Sequence, residues 1–292
     1  MSTRIAVDAM GGDFAPQEVI LGALSVARED PQTELVLVGD QAAIASVLDA
    51  QDSVPANIQV RATSQIIAMD EHPAQAVRKK RDSSLVVAGQ MVKNGEAEAA
   101  FSAGNTGAAM AIATLDIGRI PGVERPAIAA TLPTLKGRVL LLDAGANVDC
   151  SPRNLLQFGL LGTIYAEKVQ GKINPTVGLL NVGGEEGKGD ELSRDAYALL
   201  KSSPMNFQGN VEGKDVFEHA VDVIVCDGFA GNVLLKSGEG VAELIIAILQ
   251  GEIDADPNIK ESMAVFAPIF RRLMQRIDYA EYGGAPLLGV QG

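Results

Sequence analysis

Val139-Leu140-Leu141-Leu142-Asp143-Ala144-Gly145-Ala146-Asn147 is a short apolar run closed by an aspartate and a glycine turn. Such a run, bounded by turn residues, reads as a strand buried on both faces. The pattern recurs. Ile5-Ala6-Val7 leads into Asp8-Ala9-Met10-Gly11-Gly12-Asp13, and Ala99-Ala100-Phe101 leads into Ser102-Ala103-Gly104-Asn105-Thr106-Gly107. Val177-Gly178-Leu179-Leu180 leads into Asn181-Val182-Gly183-Gly184-Glu185-Glu186-Gly187-Lys188-Gly189, and Val223-Ile224-Val225 leads into Cys226-Asp227-Gly228-Phe229-Ala230-Gly231-Asn232. Leu35-Val36-Leu37-Val38 is a further apolar run. Segments of helical period separate these runs at 16–29, 41–50, 83–94, 106–117, 151–170, 191–202 and 231–250. The alternation predicts an α/β fold, a mostly parallel sheet with helices on both faces. No repeat, low-complexity tract or linker interrupts it, so 1–292 reads as a single α/β domain or two intimately joined lobes.

Composition agrees. Tryptophan is absent and aromatics are 4% of the chain, so the core must be built from Ala, Val, Ile and Leu. A net charge of −13 opposes nucleic-acid binding, which needs an extended basic face. No stretch approaches the ~18 apolar residues of a membrane span. Only Cys150 and Cys226 occur, and no leader precedes the first strand, which together predict a cytoplasmic protein with two inert, small, largely buried thiols.

In open α/β sheets, ligands bind beyond the carboxyl ends of the strands, where glycines let backbone N–H groups approach and helix N-termini favour anions. Glycine and asparagine after one strand ordinarily make only a tight turn. Five such loops, each carrying Asp, Asn or Lys that no turn demands, predict one anion site at a single sheet edge. The 183–188 segment is not a nucleotide P-loop: its spacing is one residue short, and Gly189 stands where Ser or Thr would ligate magnesium. No Gly-x-Gly-x-x-Gly follows the first strand. His72 and His219 lack any metal-ligand spacing, so neither a metal nor a cofactor is expected.

Together the loops resemble the phosphate acyltransferases of bacterial phospholipid synthesis, acyl-carrier-protein-dependent enzymes that make acyl phosphate. The matching segments also include Tyr282-Gly283-Gly284-Ala285-Pro286-Leu287-Leu288-Gly289, and they run in family order almost end to end. The resemblance implies a three-layer α/β/α sandwich similar to phosphotransacetylases and isocitrate-type dehydrogenases. It also implies a homodimer, and a further strand and helix beyond Gly292. The implied reaction is attack of inorganic phosphate on an acyl-carrier thioester. Phosphate is itself the nucleophile, so the protein must supply position, charge compensation and donors aimed at the developing oxyanion.

On that reading Lys188 compensates charge, Asn147 is a candidate oxyanion donor, and Asn105, Thr106 and Asn232 are neutral donors near helix starts. Asp8, Asp143, Asp227 and Glu185 would orient a cation or move a proton to the leaving sulfur. The remaining candidates for phosphate or substrate binding are Gly11, Gly12, Asp13, Lys79, Ser102, Gly104, Gly107, Gly145, Asn181, Gly189, Gly228 and Gly231. Turn or helix capping is the competing role for each carboxylate.

Arg78-Lys79-Lys80-Arg81 is either a solvated helix face or a local attraction for phosphate or the acidic carrier protein. The apolar helix from Val241 to Leu249, a polar turn at 252–258, and Ile259, Met263, Phe266, Phe270, Leu273 and Ile277 at helical spacing predict a protruding hairpin over 241–278. Pro268 is expected to kink or restart its second arm. The hairpin would pack within the dimer, or lay an apolar face with Arg271, Arg272 and Arg276 on anionic membrane at the inner face of the cell membrane, near a downstream membrane acyltransferase. Rival readings are a short-chain phosphotransacetylase acting on coenzyme A thioesters, a decarboxylating dehydrogenase, and a non-catalytic acyl-carrier-binding protein.

Overall fold

The computed structural model describes residues 3–255, 265–273 and 284–292. The chain is organised as two compact units, Met1–Pro126 with Gly289–Gly292, and Ala127–Leu288.

The first unit runs β1 (Thr3–Asp8), α1 (Gln17–Glu29), β2 (Thr33–Gly39), α2 (Gln41–Leu48), β3 (Ile58–Ala62), α3 (Pro73–Lys79), α4 (Ser84–Lys93), β4 (Ala99–Phe101) and α5 (Thr106–Ile112), followed by a π-helical turn at Ala113–Ile117. Its strands are all parallel in the order β3-β2-β1-β4. Successive strand side chains point to opposite faces. Val7, Leu35 and Leu37 therefore pack with Ile20 and Leu24 of α1 and Ile44 of α2, while Ala6, Val36 and Val38 pack with Ala88, Met91 and Val92 of α4. The chain leaves β1 toward β2 and β3, then returns to place β4 on the other side. That reversal creates a crevice between the carboxyl ends of β1 and β4.

The second unit runs β5 (Ala127–Thr134), β6 (Gly137–Leu142), α6 (Pro152–Lys168), β7 (Thr176–Leu180), α7 (Glu191–Lys201), β8 (Asn206–Val211), α8 (Gly213–Val216), β9 (Val223–Val225), α9 (Gly228–Ala255) and β10 (Leu287–Leu288). The sheet order is β10-β5-β6-β9-β7-β8, with β6, β9, β7 and β8 parallel and an antiparallel β5 joined to β6. Helix α6 starts at a capping box of Ser151 and Asn154 with Pro152 in its first turn. Its Phe158 and Leu155 lie in a core with Leu140, Leu142, Val223 and Val225, and with Leu200 of α7. The opposite face packs Leu141, Ile224 and Val211 with Val216 of α8.

The α/β class and both covered faces are as the sequence predicts, but the strands form two sheets. The five loops accordingly leave two sheet edges, two from the first unit and three from the second. Helix α9 continues through 252–255, where a polar turn was expected. A second helical stretch spans 265–273 and contains Pro268. The rest of the expected turn, the end of the hairpin with Arg276 and Ile277, Ile259, Met263, and Tyr282-Gly283 lie outside the described residues.

Asp222, just before β9, ties this strand to the start of β7. Its Oδ2 accepts from Thr176 N (2.9 Å) and Thr176 Oγ1 (2.8 Å), and Oδ1 pairs with Lys172 Nζ at 2.9 Å. Burial alone would raise its pKa, but the Thr176 donors and Lys172 outweigh that and hold it below the ordinary carboxylate value. A depressed folded-state pKa stabilises above the unfolded-state pKa, and the contribution is lost as pH falls through the folded value. Asp222→Asn should therefore unfold at lower urea than the parent at pH 7, and the gap should close as pH is taken below the ordinary carboxylate range.

Candidate active site

In the second unit the turn after β6 is built around one carboxylate. Asp143 is fully buried, and its Oδ1 accepts from the N–H groups of Ile128 (2.9 Å), Ala146 (3.1 Å) and Gly145 (3.3 Å). Its Oδ2 accepts from Asn147 N (2.6 Å) and Asn147 Nδ2 (2.8 Å). Charge-assisted bonds of this kind are the strong class. They fold 143–147 back on itself and fasten it to β5.

Helix α9 begins against this turn. Gly228 N donates to Asn147 O at 2.7 Å, and Asp227 Oδ1 caps the helix by accepting from Ala230 N at 2.7 Å. A methyl at Gly231 would stand 1.9 Å from Asp143 O, and one at Gly228 2.8 Å from Asn147 N. Only glycine permits that approach. Gly145 has φ 137°, and the Asn232 side chain lies 3.4 Å from where its Cβ would be. Asn232 and Gly145 therefore meet beside the positive end of a 28-residue helix dipole.

The loop after β7 leaves the same sheet edge. Asn181 Nδ2 donates to Lys188 O (3.1 Å), Lys188 N to Glu185 O (3.1 Å), and Asn210 Nδ2 of β8 to Glu185 O (2.8 Å). Gly189 has φ 93°, and Asp190 caps α7. The backbone is thus fixed, while the Lys188 side chain is exposed, with its stem against Gly183 and no salt bridge among the described residues.

In the first unit, Asp8 at the end of β1 is 2% exposed and accepts from Ser102 Oγ at 2.7 Å, at the end of β4. The Ser84 hydroxyl at the start of α4 lies close to it, and Met10 N donates to its Oδ1 at 3.3 Å. Burial pushes its carboxyl above the ordinary value despite those donors. Gly104 N donates to Ser102 Oγ (3.0 Å), and a methyl on Gly11 would come within 2.5 Å of Asp8 Oδ2. These residues fill the β1/β4 crevice. Asn105 faces elsewhere: Oδ1 caps α5 through Ala108 N, and Nδ2 donates to the carbonyls of Ala68, Met69 and Glu71.

A family described as "Fatty acid synthesis protein" matches residues 3–292. A phosphate acyltransferase of Desulfitobacterium hafniense is 51% identical over 290 residues, 99% of this chain and 86% of that protein. One from Heliobacterium modesticaldum is 52% identical with the same coverage. The chain belongs to the phosphate acyltransferase family. Among solved structures, a phosphotransacetylase from Staphylococcus aureus has the same fold, with a TM-score of 0.59 at 15% identity over 83% of each chain.

Within this phosphate acyltransferase the expected site residues divide into supports and displayed groups. Asp143, Asn147, Asn105, Asn181 and Asp227 spend side-chain bonds on holding loops or helix starts. For Asn105 and Asn147, proposed from sequence as donors to substrate, the amide hydrogens are engaged by protein carbonyls or by Asp143. Gly107 lets α5 approach Pro73 of α3, a packing role. Lys188, Glu185, Asn232, Thr106 and Asp13 are exposed, and Gly12 turns the β1 loop with φ 112°. The basic run is divided: Lys80 pairs with Glu71 and Arg81 with Asp116, leaving Arg78 and Lys79 exposed at the end of α3 without a salt bridge among the described residues. Ser84 is the site residue that sequence reading missed. Both thiols touch the β6 turn, Cys226 donating to Asp143 O and Cys150 to Asn147 O, and burial raises the Cys226 pKa well above its ordinary value.

Replacing Asp143 by Asn puts an NH2 group against N–H donors in either orientation. The expected loss is about 3 kcal/mol or more in urea unfolding, with activity falling alongside it.

Proposed function

We propose that this acyltransferase forms acyl phosphate from inorganic phosphate and a long-chain acyl-carrier-protein thioester, supplying phosphatidic acid synthesis. The observation that carries the reading is the contact of Gly145 with Asn232 at the start of α9. A backbone turn pinned by Asp143 meets a helix N-terminus there, an arrangement suited to an oxyanion. No enzyme nucleophile is required, since phosphate attacks the thioester carbonyl itself. Lys188, on a fixed loop and without a salt bridge among the described residues, supplies compensating charge, and Asn232 an uncharged donor.

The acidic carrier protein would be drawn to Arg78 and Lys79, which have no salt bridge among the described residues. The long helix supports the remaining part of the reading. Val241, Leu244, Ile245 and Ile248 recur at helical spacing on α9 and are each more than half exposed, and Val265, Phe266, Ile269 and Leu273 are exposed on the 265–273 helix. Such stripes suit a second copy of the chain and the surface of an anionic membrane, giving a cytoplasmic homodimer at the inner face of the membrane beside a downstream membrane acyltransferase. Among the described residues no helix is long and apolar enough to cross a membrane.

The test is incubation with long-chain acyl-carrier thioester and phosphate, trapping the product with hydroxylamine. Acyl hydroxamate should form far faster than from acetyl coenzyme A. Lys188→Met should lower turnover by about 10²–10³-fold without shifting the thermal midpoint, and near-parental hydroxamate would reject its role. Phe266→Asp should abolish sedimentation with anionic liposomes; equal sedimentation of both proteins would remove the membrane contact.

A further inference from the structure

Strand β8 carries one residue more than the partner beside it. Thr176 and Val177 of β7 pair with Asn206 and Phe207, but Leu179 and Leu180 pair with Asn210 and Val211. The extra residue sits at 208–209, where Gly209 has φ 97°. Bulges are rare between parallel strands, and they re-aim the side chains that follow them. In unbroken register Asn210 would lie opposite Leu180 and point to the other face of the sheet. The bulge instead sets it opposite Leu179, whose side chain lies in the core with α6 and α7, and there its Nδ2 donates to Glu185 O at 2.8 Å. That carbonyl is a shared acceptor. It also takes the Lys188 N–H at 3.1 Å, so two bonds connect the sheet to the lysine's own backbone. The other tethers of the loop act elsewhere: Asn181 holds Lys188 O, Arg194 of α7 holds Gly189 O, and Lys201 pairs with Glu186 where both side chains are more than half exposed, a contact worth little. Asn210 Oδ1 is buried and has no hydrogen-bond partner among the described residues. A buried acceptor left so is unfavourable, and a smaller or apolar residue would avoid it, so the bond to the loop is what this amide contributes.

We propose that Asn210, aimed by the β8 bulge, is a positioning residue for Lys188. The inference rests on the reading above in which Lys188 compensates charge during acyl transfer. All of the residues concerned belong to the second unit. The Asn210 side chain is spent on the Glu185 carbonyl, so its effect reaches the reaction only through the loop. By fixing that carbonyl it fixes the N–H of Lys188, and with it the point from which the lysine side chain starts. A displacement of about 1 Å in a catalytic group can cost about 100-fold in rate.

A double-mutant cycle tests it, with hydroxylamine trapping of the acyl phosphate made from palmitoyl-carrier thioester and phosphate. Asn210→Ala should lower kcat by about 10–100-fold, with KM for the thioester within about twofold of the parent. In a Lys188→Met background the same substitution should cost under about threefold, because the lysine it serves is gone. Equal losses in both backgrounds, a loss confined to KM, or undiminished turnover by Asn210→Ala overturn the proposal and leave the role of Lys188 standing. Near-parental turnover by Lys188→Met removes that role and the proposal with it, and is read without any change at Asn210. Asn210→Asp keeps the volume and removes both amide hydrogens, and it serves if the alanine variant does not fold. Where Lys188→Met turns over too slowly to be reduced further, amide deuterium exchange is the readout. Peptides spanning Lys188 should exchange about tenfold faster in Asn210→Ala, with those of β7 and β9 unchanged; exchange unaltered at Lys188, or raised equally across the sheet, rejects the positioning role.

Discussion

The second unit depends on one carboxylate accepting five N–H groups. Among the described residues no cation pairs with Asp143, and the donors that bond it belong to β5 and to its own turn. An isolated charge in an apolar interior costs many kcal/mol, so the turn must close tightly enough to replace water at both oxygens. That closure sets the position of Asn147, whose carbonyl receives the first N–H of α9. The direction of the longest helix is thereby tied to a strand-end turn some eighty residues earlier in the chain.

Close approach in this region has a consequence for composition. Gly228, Gly231 and Gly145 lie where backbone meets backbone or the base of Asn232, and the glycines there are demanded by space as much as by torsion. In the first unit Gly11 plays the equivalent part over Asp8. A chain that packs its loops this tightly cannot spend large side chains in them, which accounts for loops made of Gly, Ala, Ser, Asn and Asp.

Much of this was legible in the sequence. β1, β2, β6, β7 and β9 were readable because a strand flanked on both sides and covered on both faces must be uniformly apolar, and the edge strand β4 because its three residues Ala99, Ala100 and Phe101 are all apolar. The edge strands with polar residues were not: β3 exposes Gln59, Val60 and Arg61, and β8 carries Asn206, Gln208 and Asn210, since an edge needs only one neighbour and tolerates water. Helix α3 is one short segment beginning at Pro73, and its period was hidden by the basic run that ends it. The loops that bear the site were visible by composition, but the partners of each side chain were not. Asn105 binds carbonyls more than thirty residues away, and Ser84 reaches Asp8 from a different element. Contacts of that type follow from topology and leave no periodic trace. The division into two sheets was likewise invisible, because local pattern specifies strands without saying which of them adjoin.

The Asn105 amide has an effect beyond the loop it belongs to. By binding the carbonyls of Ala68, Met69 and Glu71 from beneath, with Lys80 gripping Glu71 and the Ile66 carbonyl, it leaves the 66–71 segment little conformational freedom. Ile66 and Met69 nonetheless turn outward, 42% and 55% exposed. Apolar groups presented on a backbone already immobilised have paid their ordering entropy during folding. A molecule that settles on them gives up its own freedom but none of the loop's.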